Sequence, residues 1–297
     1  MAHEERTVAV EASDGHRFEL IEIGPDGAPT LLFLPGMGIS ARNLIPFGRA
    51  LAERGLRVLL HEWRGNGSSS IRARRGVDWG YDALLDLDLS AAIASARQSA
   101  GSNRLWLGGH SLGSQLACLA AARTPGRIEG LALIAGGAPY WRCYPAPAGI
   151  GLLAMLTLLP MLVRARGYYP GKRLGFAGTE ARQLMLDWAR TGRTGRYAWG
   201  RPPRDEEPAL ASLSLPVHVV AMEHDRFVPP ASMDWLLGKL TAASVSRACI
   251  TEATQGRSAD HFGWMRSPDA TASSIATRIL YASPATDDPT APDERLP

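Results

Sequence analysis

Short runs of apolar residues alternate with helical patterns along most of this 297-residue chain. Thr30–Leu34, residues 104–108 and Gly130–Ile134 are such runs, each of strand length and bounded by turn or helix signals. A strand that is apolar on both faces is typical of a parallel sheet covered by helices on both sides. The alternation therefore predicts an α/β fold with a mainly parallel, doubly wound central sheet.

The alternation stops between residues 139 and 208, where the sequence predicts no strand. An insertion of that size is usually a lid or a binding element rather than a plain loop. We therefore predict one α/β core built from residues 1–138 and 209–282, interrupted by a helical cap at 139–208. The final residues, 283–297, are rich in Pro, Asp and Thr and are predicted to be disordered.

One apolar stretch within the insertion, residues 149–163, raises the question of a membrane span. A helix needs about 20 mostly apolar residues to cross a bilayer. This stretch has 15, contains Pro160 and is followed by Arg164. It is predicted to form a buried or pocket-lining pair of helices and no stable membrane span. Peripheral contact with lipid is left as an open alternative.

The charge pattern argues against a nucleic-acid partner. Lysine and arginine number 32 against 29 acidic residues, and the densest basic cluster, Arg72, Arg74 and Arg75, is interpreted as a solvated loop. The three cysteines are widely spaced without a CxxC pair, which argues against a disulfide framework or a zinc site. The N-terminus lacks the apolar segment of a secretory signal, so a cytoplasmic location is expected.

A serine lies where one predicted strand turns into a helix. The strand at 104–108 runs directly into Gly109-His110-Ser111-Leu112-Gly113, and a predicted helix, Leu112–Arg123, follows. The GxSxG motif requires this strand–turn–helix context, because the sharp turn lifts the serine hydroxyl out over the sheet. We predict that Ser111 is a nucleophile. The alternative is a structural glycine-rich turn that carries an idle serine.

Five segments resemble conserved parts of the α/β-hydrolase superfamily and occur in the order typical of that family. The resemblance extends over about residues 5 to 282. They are Leu34-Pro35-Gly36-Met37-Gly38, Trp63-Arg64-Gly65-Asn66-Gly67-Ser68, Gly109-His110-Ser111-Leu112-Gly113, Glu223-His224-Asp225-Arg226-Phe227-Val228-Pro229 and Asp260-His261-Phe262-Gly263. Within the superfamily the chain is similar to the lipase, esterase and serine-aminopeptidase-like group with a helical cap. The resemblance implies no metal and no organic cofactor. One departure is Pro35-Gly36, where the family often has His-Gly.

The family's chain order, Ser then Asp then His, implies which residues would assist the nucleophile. A serine hydroxyl is a weak nucleophile and needs an adjacent base, normally a histidine oriented by a carboxylate. His261, between the last predicted strand and the last predicted helix, is the implied base, and Asp225 is the implied acid. Asp260 is the second choice for the acid, because side chains adjacent in sequence seldom face each other.

The oxyanion that develops in acyl transfer needs preorganised donors, typically two backbone N–H groups. The expected donors are the N–H of Leu112, one residue past the nucleophile, and the N–H of Met37, in the loop after Thr30–Leu34. The apolar composition of the cap indicates an apolar acyl or alkyl pocket. The residues predicted to contact the substrate are Gly36, His110, Trp141, Leu153 and Leu156.

These features favour a serine hydrolase that cleaves a carboxylic ester or thioester through an acyl-Ser111 intermediate. Peptidase, amidase and acyltransferase activities use the same machinery, and the sequence does not separate them. A non-catalytic ligand-binding protein on this fold is a further alternative, because such a protein can keep all three residues. The expected partner is a small-molecule substrate, and the sequence does not indicate the oligomeric state.

Overall fold

The computed structural model describes residues 4–200 and 202–281, and its first part repeats a strand–helix unit. The strands are β1 (Glu5–Glu11), β2 (Arg17–Ile23), β3 (Thr30–Leu34), β4 (Arg57–Leu60), β5 (Leu105–His110) and β6 (Gly130–Ile134). The helices are α1 (Ile45–Ala52), α2 (Ser90–Ala100) and α3 (Leu112–Arg123). A 3₁₀ turn, Ala41–Leu44, precedes α1, and a π-helical segment, Ala83–Leu89, precedes α2.

A mostly helical insertion follows β6. Its helices are α4 (Ala148–Arg166), α5 (Gly171–Leu174), α6 (Arg182–Thr194) and α7 (Glu207–Ala211). Its strands are β7 (Tyr168–Pro170), β8 (Thr179–Ala181), β9 (Ala198–Trp199) and β10 (Arg204–Asp205), which pair as two antiparallel ladders. The prediction of no strand between 139 and 208 is therefore wrong. Ladders of two or three residues are too short to show a period in the sequence.

The chain then returns to the central layer. The remaining strands and α-helices are β11 (Pro216–Met222), α8 (Pro230–Leu237), β12 (Ser244–Ile250), α9 (Glu252–Gln255) and α10 (Asp269–Tyr281), and a 3₁₀ turn, Gly263–Arg266, lies between α9 and α10. The predicted disordered tail, 283–297, lies outside the described residues.

Eight strands form the central sheet, in the order β1-β2-β4-β3-β5-β6-β11-β12. The β1–β2 and β2–β4 pairs are antiparallel and all the others are parallel. Every residue of β3, β5 and β6 is buried. One apolar cluster joins α2 and α3 to the sheet, and another joins α1 and α10 to it. This arrangement confirms the predicted doubly wound α/β fold.

The parallel strands bring their carboxyl ends to one edge of the sheet, where open α/β sheets bind ligands. Strand β3 leads into the loop that holds Met37, and β5 leads directly to Ser111. Strand β11 ends at Met222, three residues before Asp225. The candidate residues therefore meet at this edge.

Helix α4 is one continuous helix of 19 residues, although its sequence predicts a pair of helices. A proline inside a helix has no N–H to donate, so Pro160 leaves the carbonyl of Leu156 without its usual partner. Arg193 of α6 replaces that partner, because its guanidinium donates to the Leu156 oxygen at 2.5 Å. By length and composition α4 is long and apolar enough to cross a membrane. Of the 18 consecutive residues that form its most apolar stretch, 28% are buried in the protein.

Replacing Arg193 with alanine is expected to lower the free energy of unfolding by about 1.5–3 kcal/mol, the usual range for a hydrogen bond from a charged donor. The reason is that the Leu156 carbonyl then has no donor inside the cap. Thermal melting followed by circular dichroism measures the loss. Arg190→Ala, in the same helix, is the matched control and should change stability little. Equal melting temperatures for the two variants would contradict this explanation of the unbroken helix.

Candidate active site

Ser111 lies on a sharply turned backbone between β5 and α3. Its φ of 56° and ψ of −116° fall where residues other than glycine are rare. A Cβ on Gly109 would come 2.2 Å from the carbonyl carbon of Gly113, and one on Gly113 would come 2.2 Å from the Leu34 oxygen. The turn therefore needs glycine at both positions, and it presents the serine at the N-terminus of α3.

His261 and Asp225 form a buried pair at the same edge of the sheet. Their Nδ1 and Oδ2 atoms are 2.8 Å apart, and the two side chains are 4% and 3% exposed. The other carboxylate oxygen accepts hydrogen bonds from the backbone N–H groups of Phe227 and Val228, both at 2.8 Å. Because both oxygens of Asp225 have partners, the carboxylate is fixed in place. Its bond engages Nδ1 of His261, and Nε2 of that ring has no hydrogen-bond partner among the described residues.

Asp260, the second choice for the acid, has a different contact set. Its carboxylate accepts hydrogen bonds from the backbone N–H groups of Phe262 and Gly263, at 3.0 and 2.7 Å. It therefore stabilises the turn that carries His261, while Asp225 contacts the imidazole.

Ser111 and His261 line one cavity. Within the described residues, no hydrogen bond joins the serine hydroxyl directly to the imidazole. Hydrogen bonds of this kind are commonly long in unliganded enzymes and shorten when substrate binds. The arrangement thus brings together the three residues that the sequence singled out, with the Ser–His contact still open.

The backbone N–H groups of Met37 and Leu112 are available to a ligand. Both residues line the cavity with Ser111, and in the described part of the chain neither N–H donates to another protein group. Leu112 is the first residue of α3, where N–H groups have no partner within the helix. Two unpaired donors beside the serine are suited to hold a developing negative charge.

The cavity has a volume of about 350 Å³ and is mostly apolar. Its walls come from the loops at the sheet edge and from the cap. The side chains that the cap contributes are Pro139, Tyr144, Leu152, Met155, Phe176, Ala177 and Trp188. The predicted contact residues Gly36 and His110 line it.

Trp141, Leu153 and Leu156, the other three predicted contacts, are not among the described residues that line the cavity. Leu156 is fully buried instead, facing Gly192 of α6. The residues of α4 that face the cavity are Leu152 and Met155, three positions apart on one side of the helix. The sequence identified the right helix but not its rotation.

His110 supports the loop of His261 from below. Its Nε2 lies 2.9 Å from the backbone oxygen of His261 and donates to it. Burial holds the pKa of His110 well below its usual range, and the nearby imidazole of His261 lowers it further. The ring is therefore neutral, which suits a residue that positions His261 without adding charge.

A separate cleft adjoins the cavity at His261. Arg226, Phe227 and Phe262 belong to both, and His224, Ser258 and Asp260 complete the second. The imidazole therefore lies between two spaces. One is the cavity, an apolar chamber under the cap, and the other is the more polar cleft.

The sequence missed two contacts that tie the cap to the sheet edge where Ser111 and His261 lie. The hydroxyl of Tyr144 donates to the backbone oxygen of Phe227 at 2.8 Å, and burial raises the pKa of Tyr144 to about 12, so the hydroxyl keeps its proton. Gly178 abuts the loop of Met37, where a Cβ on Gly38 would come 2.3 Å from the Gly178 nitrogen. Only the glycines of this cap segment could have indicated such a close approach.

Glu180, beside that contact, also escaped the sequence analysis. Its Oε1 accepts a hydrogen bond from the N–H of Gly178 at 2.9 Å, and the residue is 3% exposed. Burial raises the pKa of Glu180 to about 7, and only the Gly178 hydrogen bond and the charge of Lys172 oppose the effect. A carboxyl with a pKa near neutrality thus fixes the turn of the cap segment at Gly178, which in turn lies against Gly38.

A comparison with protein families finds a match to the model described as alpha/beta hydrolase fold over residues 29–192. No curated protein sequence matches the chain.

Solved structures of similar fold cover nearly the whole chain. A thioesterase domain from the curacin biosynthetic pathway has a TM-score of 0.60 and 19% identity, covering 95% of this chain and 100% of its own. A 2-hydroxy-6-oxo-6-phenylhexa-2,4-dienoate hydrolase from Rhodococcus sp. strain RHA1 has a TM-score of 0.62 and 18% identity, covering 94% and 100%. An esterase from Exiguobacterium antarcticum has a TM-score of 0.63 and 14% identity, covering 93% and 100%. At such identities the likeness concerns the fold alone.

Replacing Glu180 with glutamine is expected to flatten the dependence of stability on pH between about 5 and 8. The folded-state pKa of about 7 lies above the ordinary 4.5, so the unfolded chain releases this proton first as pH rises. The stabilisation from Glu180 is therefore complete below 4.5 and is lost as pH rises through 7. For a pKa difference of this size it amounts to roughly 3 kcal/mol.

Denaturant unfolding at a series of pH values tests this expectation. Glu19→Gln, at an exposed position that forms no ion pair within residues 4–200 and 202–281, is the control and should follow the wild type. A Glu180→Gln curve that falls as steeply as the wild-type curve would show that another group causes the loss.

Proposed function

Because the chain belongs to the α/β-hydrolase fold family, we propose that it is a serine hydrolase that cleaves a carboxylic ester or thioester with an apolar acyl group. Ser111 is the nucleophile, His261 the general base and acid, and Asp225 the residue that orients the imidazole. The observation that carries this proposal is the cavity at Ser111, which also holds His261 and the unpaired N–H groups of Met37 and Leu112.

The reaction proceeds in two acyl transfers. Oγ of Ser111 attacks the carbonyl carbon of the substrate while Nε2 of His261 takes the hydroxyl proton. The oxyanion receives hydrogen bonds from the N–H groups of Met37 and Leu112, next to the N-terminus of α3, which favours negative charge. The intermediate collapses, His261 gives its proton to the leaving alcohol or thiol, and the acyl group stays on Ser111.

Water then completes the cycle. His261 takes a proton from water as it attacks the acyl carbon, and the second intermediate expels Ser111, which recovers its proton from the imidazolium. Throughout both steps the carboxylate of Asp225 stabilises the positive imidazolium at a distance of 2.8 Å. The net products are a carboxylic acid and an alcohol or thiol.

The two spaces beside His261 suit the two halves of such a substrate. The apolar chamber under Leu152, Met155 and Trp188 accommodates the acyl chain. The cleft with His224, Arg226 and Asp260 offers polar groups to the leaving alcohol or thiol. The chamber is the reason for preferring an apolar acyl group over a polar one.

Replacing Ser111 with alanine is expected to abolish labelling by a fluorophosphonate probe and to lower kcat for a p-nitrophenyl ester by roughly 10³-fold or more. The probe forms a covalent bond only with an activated serine that it can reach, and Ser111 is the one serine among the described residues that line the cavity. Ser68→Ala, in an exposed loop, is the control and should label normally. Ester, thioester and amide substrates are assayed in parallel.

Labelling that persists in Ser111→Ala would refute the nucleophile. Tight ligand binding by the wild type without turnover, unchanged in Ser111→Ala, would favour a non-catalytic binding protein. Faster cleavage of the amide than of the ester would favour a peptidase or amidase.

Replacing Met155 with tryptophan is expected to shift the preference among p-nitrophenyl esters toward shorter acyl chains. The reason is that Met155 faces the chamber, and a larger side chain there shortens it. Met161→Trp, on the exposed face of the same helix, is the matched control. The ratio of kcat/KM across a series of chain lengths reports the shift. An unchanged chain-length profile in Met155→Trp would place the acyl group outside this chamber.

A further inference from the structure

Helix α4 carries an apolar face that the protein leaves uncovered. Ile150, Leu158 and Met161 are 61%, 62% and 67% exposed, and the exposed Ala154 lies between them. The spacing of these four residues, at intervals of four, four and three positions, puts them on one side of the helix. Soluble proteins rarely expose a contiguous apolar surface of this kind unless it contacts a partner, a ligand or a membrane.

The opposite face of α4 is committed to the protein. Leu152 and Met155 line the cavity, and Leu159 and Val163 are buried. A helix that is packed along one side and apolar on the other can lie in an interface but cannot cross a bilayer alone. The uncovered face can therefore be covered by a surface that contacts it from one side only.

The charge around this helix has one sign. Residues 130–179 contain no Asp or Glu and five basic residues, Arg142, Arg164, Arg166, Lys172 and Arg173. Two of them, Arg164 and Arg166, lie in the last turn of α4. In the described ranges none of the five forms an ion pair with an acidic side chain.

A second basic segment joins the same end of the helix. The guanidinium of Arg75 donates to the backbone oxygen of Ala165 at 2.6 Å, and its backbone packs against Gly167. This contact holds the loop of Arg72, Arg74 and Arg75 beside the last turn of α4. The loop that the sequence presented as merely solvated thus adds to a positive rim at one end of the apolar face.

We propose that the apolar face of α4, with the arginines at its C-terminal end, docks on the surface of an anionic lipid bilayer. Apolar side chains enter the boundary between headgroups and acyl chains, while guanidinium groups contact the phosphates, as in interfacial amphipathic helices. A second copy of the chain would bring the same unpaired positive charge to the contact, which disfavours it as the occupant. The proposal does not depend on the reaction at Ser111.

Flotation with vesicles tests the proposal. Wild-type protein is expected to float with vesicles of phosphatidylcholine mixed with phosphatidylglycerol, less at higher salt, and to stay behind with phosphatidylcholine alone. Leu158→Glu is expected to reduce the partition coefficient about tenfold or more, and Arg164→Gln with Arg166→Gln to reduce it by a similar factor. Thermal melting shows that each variant is folded.

Matched controls separate the helix from overall charge. Val245→Glu introduces the same charge at an exposed apolar position on β12, and Arg42→Gln with Arg127→Gln removes two exposed arginines elsewhere. Both are expected to bind as the wild type does. Failure of the wild type to float, or equal losses in the controls, would overturn the proposal. So would lipid-free dimers, in sedimentation equilibrium, that Leu158→Glu dissociates, because the face would then be covered by a second copy.

Discussion

The backbone at Ser111 can turn only because glycines stand where any side chain would strike the neighbouring chain. Gly113 lies against the carbonyl groups of Leu34 and Pro35, so the loop after β3 rests directly on the first turn of α3. This contact places the N–H groups of Met37 and Leu112 at one cavity. The N–H of Ser111 itself bonds to the oxygen of Ile134 at 3.1 Å, which anchors the turn to β6. The arrangement of the site thus follows from one steric requirement at the centre of the sheet.

Much of this could be predicted from the sequence, for reasons that lie in the fold. Strands β3 and β6 begin and end where the sequence predicts, because they are buried on both faces and read as unbroken apolar runs. Residues from distant parts of the chain could be assigned to one candidate site because the carboxyl ends of parallel strands meet at the same edge of the sheet. His261 and Asp225, 36 positions apart, are in contact for that reason.

The cap could not be predicted in the same way, because its details depend on contacts between elements. Pro160 in the sequence predicts a broken helix. The helix continues because Arg193, far along the chain, donates a hydrogen bond to the Leu156 carbonyl that Pro160 leaves without a partner. The rotation of α4 is set by packing on α6, so a nearly uniform apolar run does not reveal that Met155 faces the cavity and Leu156 does not. The strands of the cap are shorter than any detectable period.

Buried carboxylates in this protein differ in how their charge is balanced. Burial pushes the pKa of Asp88 up, but hydrogen bonds from Arg64 and His16 outweigh it and leave the pKa below its usual value. Asp225 has an imidazole and two backbone N–H groups within 2.8 Å. Glu180 accepts one backbone N–H and, among the described residues, forms no ion pair, so burial dominates and raises its pKa to about 7.

The contact between Gly38 and Gly178 has a consequence for how proteins of this shape diversify. Insertions over the sheet edge are often treated as interchangeable modules on a constant core. Here the backbone of the insertion touches the backbone that positions Met37, with no side chain between them to absorb a change in shape. A cap transplanted from another protein would therefore need matching glycines on both sides of the junction, and the two parts of the molecule are expected to change together through evolution.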